Sequence, residues 1–434
     1  MDIILKSVKS HWNLNVDIYG DKSIAHRSLI IGALPEGNFK IYNYPKGEDC
    51  ITTINIMREL GVLITEEKDY LKVNSPGYEN FKKKVSTLNC NNSGTTTRLI
   101  AGLLAGCGIE SKLIGDDSLM KRPMKRIVEP LKLMGAEIED NLGKLPLIIK
   151  NKNKLNGISY ELPVPSAQVK SAILIAGFLG EGNTTVIEKT LTRDHTERMF
   201  KYLGAKIEKE NKAITIKNSK IECKDIVIPG DPSSAAFLVG ATLLSKDSSM
   251  IIKDVLLNEG RIKYIDILKK MGGKIEIIYK DKVNEEKIGD LIISSSDLKS
   301  VIVEKDEIPS IIDEIPMLSV LAAFIDGETI FKGIEELQHK ETDRGKAIVL
   351  NLEKLGIKAE IKNNNLYILG KNEYIEKNVE IETFKDHRIA LAFLLSAFRN
   401  KGITTIKDYE CTNISFPNSL KIFENILEIE KLGI

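Results

Sequence analysis

The chain has 434 residues, more than one hydrophobic core usually serves, so two domains are expected. Its hydrophobic fraction of 42% is ordinary for a globular protein, and 62 basic against 61 acidic residues leave a net charge of +1. That balance excludes a general nucleic-acid binder, which would carry a strong basic excess.

The N-terminal run Met1-Asp2-Ile3-Ile4-Leu5-Lys6 lacks a signal-peptide core, and no apolar run reaches the length of a membrane span. A cytoplasmic protein is expected. The five cysteines, Cys50, Cys90, Cys107, Cys223 and Cys411, are scattered without zinc-ligand spacing. They read as buried thiols in a reducing compartment.

One unit recurs along the chain. An apolar helix ends in a small-residue turn and a β-rich stretch follows. The first copy is Met57-Arg58-Glu59-Leu60-Gly61, and the next is Leu133-Met134-Gly135-Ala136. Tyr202-Leu203-Gly204-Ala205, Lys270-Met271-Gly272-Gly273 and Lys354-Leu355-Gly356 follow, with Lys431-Leu432-Gly433-Ile434 as a truncated last copy. The glycines lie roughly 70–85 residues apart, a repeat period that calls for stacked units. Each glycine stands where a left-handed helix C-cap is expected.

A second element keeps the same beat: an Ala/Leu-rich helix that is apolar nearly all round. Such helices are expected over Ala25–Leu34, Thr95–Cys107, Ala167–Leu179, Ser233–Leu244, Ile315–Ile325 and His387–Phe398. Short β-branched strands come next, among them Lys40–Tyr42, Thr184–Ile187, Met250–Ile252, Thr329–Phe331 and Thr404–Ile406. A helix apolar all round belongs in an interior. Six of them tied to strands predict sheets wrapped around helical cores, an α/β architecture outside the doubly wound pattern. Two groups of three repeats would form two similar domains, with Ile228-Pro229-Gly230-Asp231-Pro232 as a crossing between them.

Polar residues ahead of these helices carry the functional signal. The relevant runs are Asp21-Lys22-Ser23 with Arg27, Asn92-Ser93-Gly94-Thr95, Pro165-Ser166-Ala167-Gln168 and Asp386-His387-Arg388. Other helix starts carry Lys121-Arg122-Pro123, Arg193-Asp194-His195 and Lys340-Glu341-Thr342-Asp343-Arg344. A cation at a helix N-terminus is electrostatically misplaced unless an anion binds there. Several such clusters imply ligands with several anionic groups, held by backbone N–H groups and Lys/Arg heads. Taken singly, the motifs also read as helix caps or solvated charge runs, His195 and His387 as structural histidines and Trp12 as packing. Their shared placement favours the ligand reading. No Walker loop, dinucleotide fingerprint or zinc-helix motif is present, and nothing suggests a carboxylate cluster for magnesium.

These residues resemble the 5-enolpyruvylshikimate-3-phosphate synthase family along the whole chain. The carriers are the runs just quoted, with Arg193-Asp194-His195-Thr196-Glu197-Arg198, Asp313-Glu314-Ile315-Pro316 and Asp386-His387-Arg388-Ile389-Ala390. The resemblance implies two inside-out α/β domains of three repeats each, with helices inside and sheets outside. Residues 1–20 plus 231–434 would form one domain and residues 21–230 the other, with the active site in the cleft between them. It implies transfer of the enolpyruvyl group of phosphoenolpyruvate to the 5-hydroxyl of shikimate 3-phosphate, by a monomer with no cofactor, metal, nucleic acid or membrane.

By similarity, shikimate 3-phosphate would be lined by Lys22, Ser23, Arg27, Ser166, Ala167, Gln168, Arg193, Asp313 and Lys340. Lys22, Gly94, Arg122, Gln168, Arg344 and Arg388 would surround phosphoenolpyruvate. Asp313 is the candidate base, with Lys340 nearby, and Glu341 and Lys22 are candidates for proton transfer at the methylene carbon. Two positions depart from the family pattern: Ala167 stands where some members have serine, and Asn413-Ile414-Ser415-Phe416-Pro417 lacks a lysine that some relatives carry. Because Gly94 is kept, at least partial sensitivity to glyphosate is expected. The nearest rival is a UDP-N-acetylglucosamine enolpyruvyl transferase. Its loop would carry cysteine or aspartate in the stretch corresponding to Ser118–Pro123, where no cysteine stands. A non-enzymatic anion-binding protein is the other alternative.

Overall fold

The structure is a computed structural model that describes residues 1–9, 11–150 and 154–432. Internal contacts divide these residues into two compact units. One comprises Met1–Tyr19, Gly230–Asp281 and Lys287–Ile434, the other Gly20–Pro229 with the short excursion Lys282–Glu286.

The second unit contains three four-stranded sheets built to one plan. A strand pairs in parallel with the strand after a core helix, and an antiparallel hairpin completes the sheet. The order is Ser159–Glu161, Asn183–Ile187, Ala213–Lys217, Ile207–Glu210 in one sheet. A second runs Lys84–Asn89, Glu110–Ile114, Lys144–Ile149, Ile138–Asn141. In the third, Glu36–Tyr42 and its hairpin lack a preceding parallel strand in sequence. Ile226–Val227, from the far end of the unit, fills that place. Buried and exposed residues alternate along strands such as Tyr70–Pro76, so each sheet turns one face inward.

The other unit closes its repeats in the same circular manner. Its sheets include Ile302–Val303 with Gly327–Phe331, and Ser249–Leu256 with Ile288–Ser294. The N-terminal segment supplies two strands. Asn13–Val16 pairs in parallel with Ser249–Leu256, opening the fourth repeat. Asp2–Val8 lies between Thr404–Ile406 and Leu427–Leu432, completing the sixth.

The six core helices lie inside. They run Lys22–Ile30, Gly94–Cys107, Ala167–Leu179, Pro232–Leu244, Ile315–Ala323 and His387–Leu394. In the last three every residue is buried. The first ends at Ile30, short of the expected Leu34, because the chain turns at Ile31–Leu34 into the strand beginning at Glu36. The sixth stops at Leu394 and tightens into a 3₁₀ turn over Leu395–Phe398.

Gly61, Gly135, Gly204, Gly272 and Gly356 all adopt positive φ, the left-handed geometry expected of them. The sixth copy differs: Lys431 and Leu432 belong to a strand, not a helix end, and Gly433 and Ile434 lie outside the described residues. There the helix is Ser419–Phe423, and the pairing of Leu427–Leu432 with Asp2–Val8 takes the place of a hairpin. Trp12 packs edge-on against Phe398 at 5.8 Å. Cys50, Cys90 and Cys411 are buried as expected, whereas Cys107 and Cys223 are only partly so.

Candidate functional site

Each core helix that carries a motif starts with a side-chain cap. Asp21 accepts from Ile24 N–H at 2.8 Å, Ser93 from Thr96 N–H at 3.2 Å and Ser166 from Val169 N–H at 3.3 Å. Asp386 accepts from Arg388 N–H at 2.9 Å. Each cap satisfies one of the first-turn donors that the helix itself cannot pair.

In the Gly20–Pro229 unit, Lys22 Nζ contacts Asp49 Oδ2 at 2.9 Å. Arg27 is buried, and its guanidinium donates to Thr196 Oγ1, Ser23 O and Ser171 Oγ, each at 2.7 Å. Burial lowers its pKa to about 10, because the hydrogen-bonding groups are neutral. Arg98 donates to Gln168 Oε1, and Gln168 Nε2 donates to Thr95 Oγ1 at 2.9 Å. Arg122 donates to Asn92 Oδ1 at 2.9 Å. A Cβ added at Gly94 would sit 2.9 Å from Arg98 Nη1 and 3.2 Å from Arg122 Nη1. Glycine therefore lets two guanidinium groups pack closely against the start of this helix. Ser166 and Ala167 stand at the start of the third core helix, where Lys170 is fully buried between Glu188 at 3.0 Å and Glu197 at 2.7 Å. Burial alone would lower the Lys170 pKa, but the two carboxylates raise it. Arg193 lies in the segment before the helix His195–Leu203.

In the other unit the five predicted residues form one ionic network around Asp313. Its Oδ1 lies 3.2 Å from both Lys340 Nζ and Arg344 Nη1. Arg388 Nη1 donates to the Asp313 carbonyl at 3.0 Å, and Arg388 Nη2 is 3.8 Å from Asp313 Oδ2. Arg344 also donates to Asp386 Oδ2 at 2.8 Å and to Glu341. Burial would depress the Arg344 pKa, yet Asp386, Glu341 and Asp313 together raise it. Glu314 lies under this network, 3.6 Å from Arg388, and burial with the neighbouring Asp313 raises its pKa.

Sequence reasoning missed the residues that hold the others. Arg98 closes the polar run Asn91–Arg98 that opens this helix, one turn after Gly94, yet falls outside the predicted site residues. Asp49 and Glu188 had no local signature, and Lys170 and Glu197, although they stand in or beside quoted motifs, were not legible as an ion pair. His195 is buried and lies 2.8 Å from Glu286 of the Lys282–Glu286 excursion. Among the described residues there is no group of three or more potential metal ligands, and no helix is long and apolar enough to cross a membrane.

A cavity of about 630 Å³ lies at the opposite ends of two core helices, by Gly106, Cys107 and Leu179. It contains none of the predicted site residues. Lys83, Lys154 and Lys217 line it, cations placed as helix C-termini favour.

Known proteins share this fold. The enolpyruvyl transferase NikO from Streptomyces tendae superimposes with a TM-score of 0.78 over 99% of this chain and 98% of its own, at 14% identity, so the likeness is one of fold. An EPSP synthase from Acinetobacter baumannii matches with a TM-score of 0.88 and 34% identity, covering 99% of this chain and 100% of that one. The EPSP synthase (3-phosphoshikimate 1-carboxyvinyltransferase) family model matches residues 9–423. The 3-phosphoshikimate 1-carboxyvinyltransferase of Clostridium tetani (strain Massachusetts / E88) is 52% identical over 427 residues, 98% of this chain and 97% of that protein. That of Petrotoga mobilis (strain DSM 10674 / SJ95) is 42% identical over 422 residues, 96% and 98% of the two chains. The chain belongs to the EPSP synthase family.

Proposed function

We propose that the two groups of side chains serve one reaction, the 3-phosphoshikimate 1-carboxyvinyltransferase reaction of the family. The shikimate 3-phosphate 5-hydroxyl adds to C2 of phosphoenolpyruvate while C3 gains a proton. The tetrahedral intermediate then loses phosphate from C2 and a proton from C3, giving the enolpyruvyl ether and inorganic phosphate.

The roles are assigned as follows. Lys22, Ser23, Arg27, Ser166, Ala167, Gln168, Arg193, Asp313 and Lys340 take shikimate 3-phosphate. Lys22, Gly94, Arg122, Gln168, Arg344 and Arg388 take phosphoenolpyruvate. Asp313 accepts the hydroxyl proton, and Glu341 and Lys22 exchange protons at C3. The observation that carries this reading is the gathering of Lys340, Arg344 and Arg388 on the Asp313 side chain and carbonyl, with Glu341 on Arg344. A base and cations for two anionic substrates thus stand within one hydrogen-bonded group. Arg344 uses three of its five N–H groups on carboxylates, leaving two for a substrate carboxylate. One chain carries every group named, which supports a monomer.

The test is phosphate release from phosphoenolpyruvate with either shikimate 3-phosphate or UDP-N-acetylglucosamine, without added metal. Release is expected with shikimate 3-phosphate alone. Asp313→Ala should lower kcat by about 10²-fold or more, the scale of a lost general base. Release with the nucleotide sugar only would overturn the substrate assignment, and an Asp313→Ala enzyme of undiminished kcat would overturn the role of that carboxylate.

A further inference from the structure

A chain of buried hydroxyls ends at the Gly94 turn. His26 Nδ1 lies 2.7 Å from Thr53 Oγ1, Thr53 Oγ1 lies 2.8 Å from Thr96 Oγ1, and Thr96 Oγ1 lies 2.7 Å from Ser93 Oγ. All four side chains are wholly excluded from solvent. They come from the Lys22–Ile30 helix, the Glu48–Glu59 helix and the start of the Gly94–Cys107 helix. None is among the residues assigned above to either substrate.

Such a polar chain is an expensive way to fill a core, because a hydrocarbon filling would leave no polar atom to satisfy. What it supplies is geometry: a hydroxyl can donate one hydrogen bond while accepting another, so each member constrains the position of the next. Its first member lies one helical turn after Lys22, and its last is the cap residue immediately before Gly94. The Glu48–Glu59 helix between them is tied to both ends. Asp49 pairs with Lys22 through its carboxylate, and its carbonyl oxygen lies 3.4 Å from Thr53 Oγ1 and 3.5 Å from Thr96 Oγ1. Thr52 Oγ1 accepts from Asn91 of the turn at 2.9 Å. Asn91 itself has φ 49°, a left-handed conformation that the surrounding bonds must hold.

We propose that the His26–Thr53–Thr96–Ser93 chain is a positioning device that holds the Gly94 turn at a fixed distance from Lys22, and so sets the affinity for phosphoenolpyruvate. It touches no reacting atom. The inference rests on the assignment of Lys22, Gly94 and Arg122 to phosphoenolpyruvate. Burial keeps His26 neutral, its pKa pushed well below the usual histidine value, so the chain keeps one charge state through the neutral range.

The experiment compares Thr53→Val, which removes the central hydroxyl at similar volume, with Thr53→Ser, which keeps it. Thr96→Val and Thr96→Ser form a second pair should the first fold poorly, and Gly94→Ala serves as a reference for the subsite. Both Michaelis constants, kcat and Tm are measured. Thr53→Val should raise KM for phosphoenolpyruvate about tenfold with less than a twofold change for shikimate 3-phosphate, and Thr53→Ser should restore it. A lowered Tm with both constants unchanged, or both raised together, would make the chain merely structural and overturn the proposal. If Gly94→Ala leaves KM for phosphoenolpyruvate unaltered, the subsite assignment itself fails, and the inference with it. A shift in Gly94→Ala without one in either valine variant sinks the positioning role alone.

Discussion

Arg27 and Arg344 are both buried arginines with opposite surroundings. Arg27 donates to a carbonyl and two hydroxyls, so its charge is hydrogen-bonded but not neutralised by them. Arg344 donates to three carboxylates. Glu197, Asp21 and Glu286 act on Arg27 only through space, so an anion hydrogen-bonded to it would add what its neutral partners do not, in keeping with the proposed shikimate 3-phosphate site. Arg344 organises its own carboxylates first. The sequence displayed both arginines in their motifs but could not separate these roles, because the distinction depends on partners 42 residues away in one case and 144 and 169 in the other.

His26 gives a residue-scale prediction in the acid range. Its folded pKa is depressed well below 6.5, chiefly by burial and then by Lys22 and Arg27, against the opposing pull of Asp21. Thr53 and Thr96, the side chains hydrogen-bonded to its Nδ1, carry no charge. Below pH 6.5 the unfolded chain takes up a proton that the folded chain does not. The stability contributed is therefore present above that pH and is lost as pH falls toward the folded value, at up to about 1.4 kcal/mol per pH unit. His26→Gln should show a shallower fall in Tm between pH 6.5 and 5.5 than the wild type. Parallel curves would rule out this contribution.

Among elements, the core helices depend on small residues at their crossings. Gly102 lies where the Gly94–Cys107 and Ala167–Leu179 helices meet, and an added Cβ would fall 2.4 Å from Ala172 O and 2.9 Å from Ala172 Cα. Alanine would improve helix propensity by about 1 kcal/mol. The clash is with backbone, however, and separating packed helices costs about 1–3 kcal/mol, so the clash should win. Gly102→Ala is expected to lower stability in a denaturant titration and, because Gly94 and Ser166 start these two helices, to weaken substrate binding as well. Equal or greater stability would show that the crossing has slack. Apolar composition made these helices legible as interior elements. Their contact geometry was not legible, since alanine and glycine look alike to a hydrophobic pattern until a neighbouring backbone is placed.

At the scale of the molecule, each unit closes with strands borrowed from distant sequence. Asp2–Val8 is an inner strand, and Leu427–Leu432 joins its sheet through that strand alone. Deleting residues 1–8 should therefore release the C-terminal strand as well as the N-terminal one. A large loss of Tm and new protease cleavage near Leu427 are expected, whereas a full-activity truncation with unchanged Tm would contradict this topology.

The sequence by itself determined the repeat, the buried character of six helices, the five left-handed glycines and the motifs at the helix starts. These are local properties: apolar periodicity, the absence of a Cβ, and a cap or cation within a few residues of a helix start. It also carried the family resemblance, which rests on runs of adjacent residues. Only the tertiary structure decided which carboxylate each cation meets, that Arg98 and Asp49 belong beside the motif residues, and that the sixth repeat ends in a strand paired with the N-terminus. Those outcomes depend on contacts between residues far apart in the chain, where packing and charge pairing are settled by the whole fold.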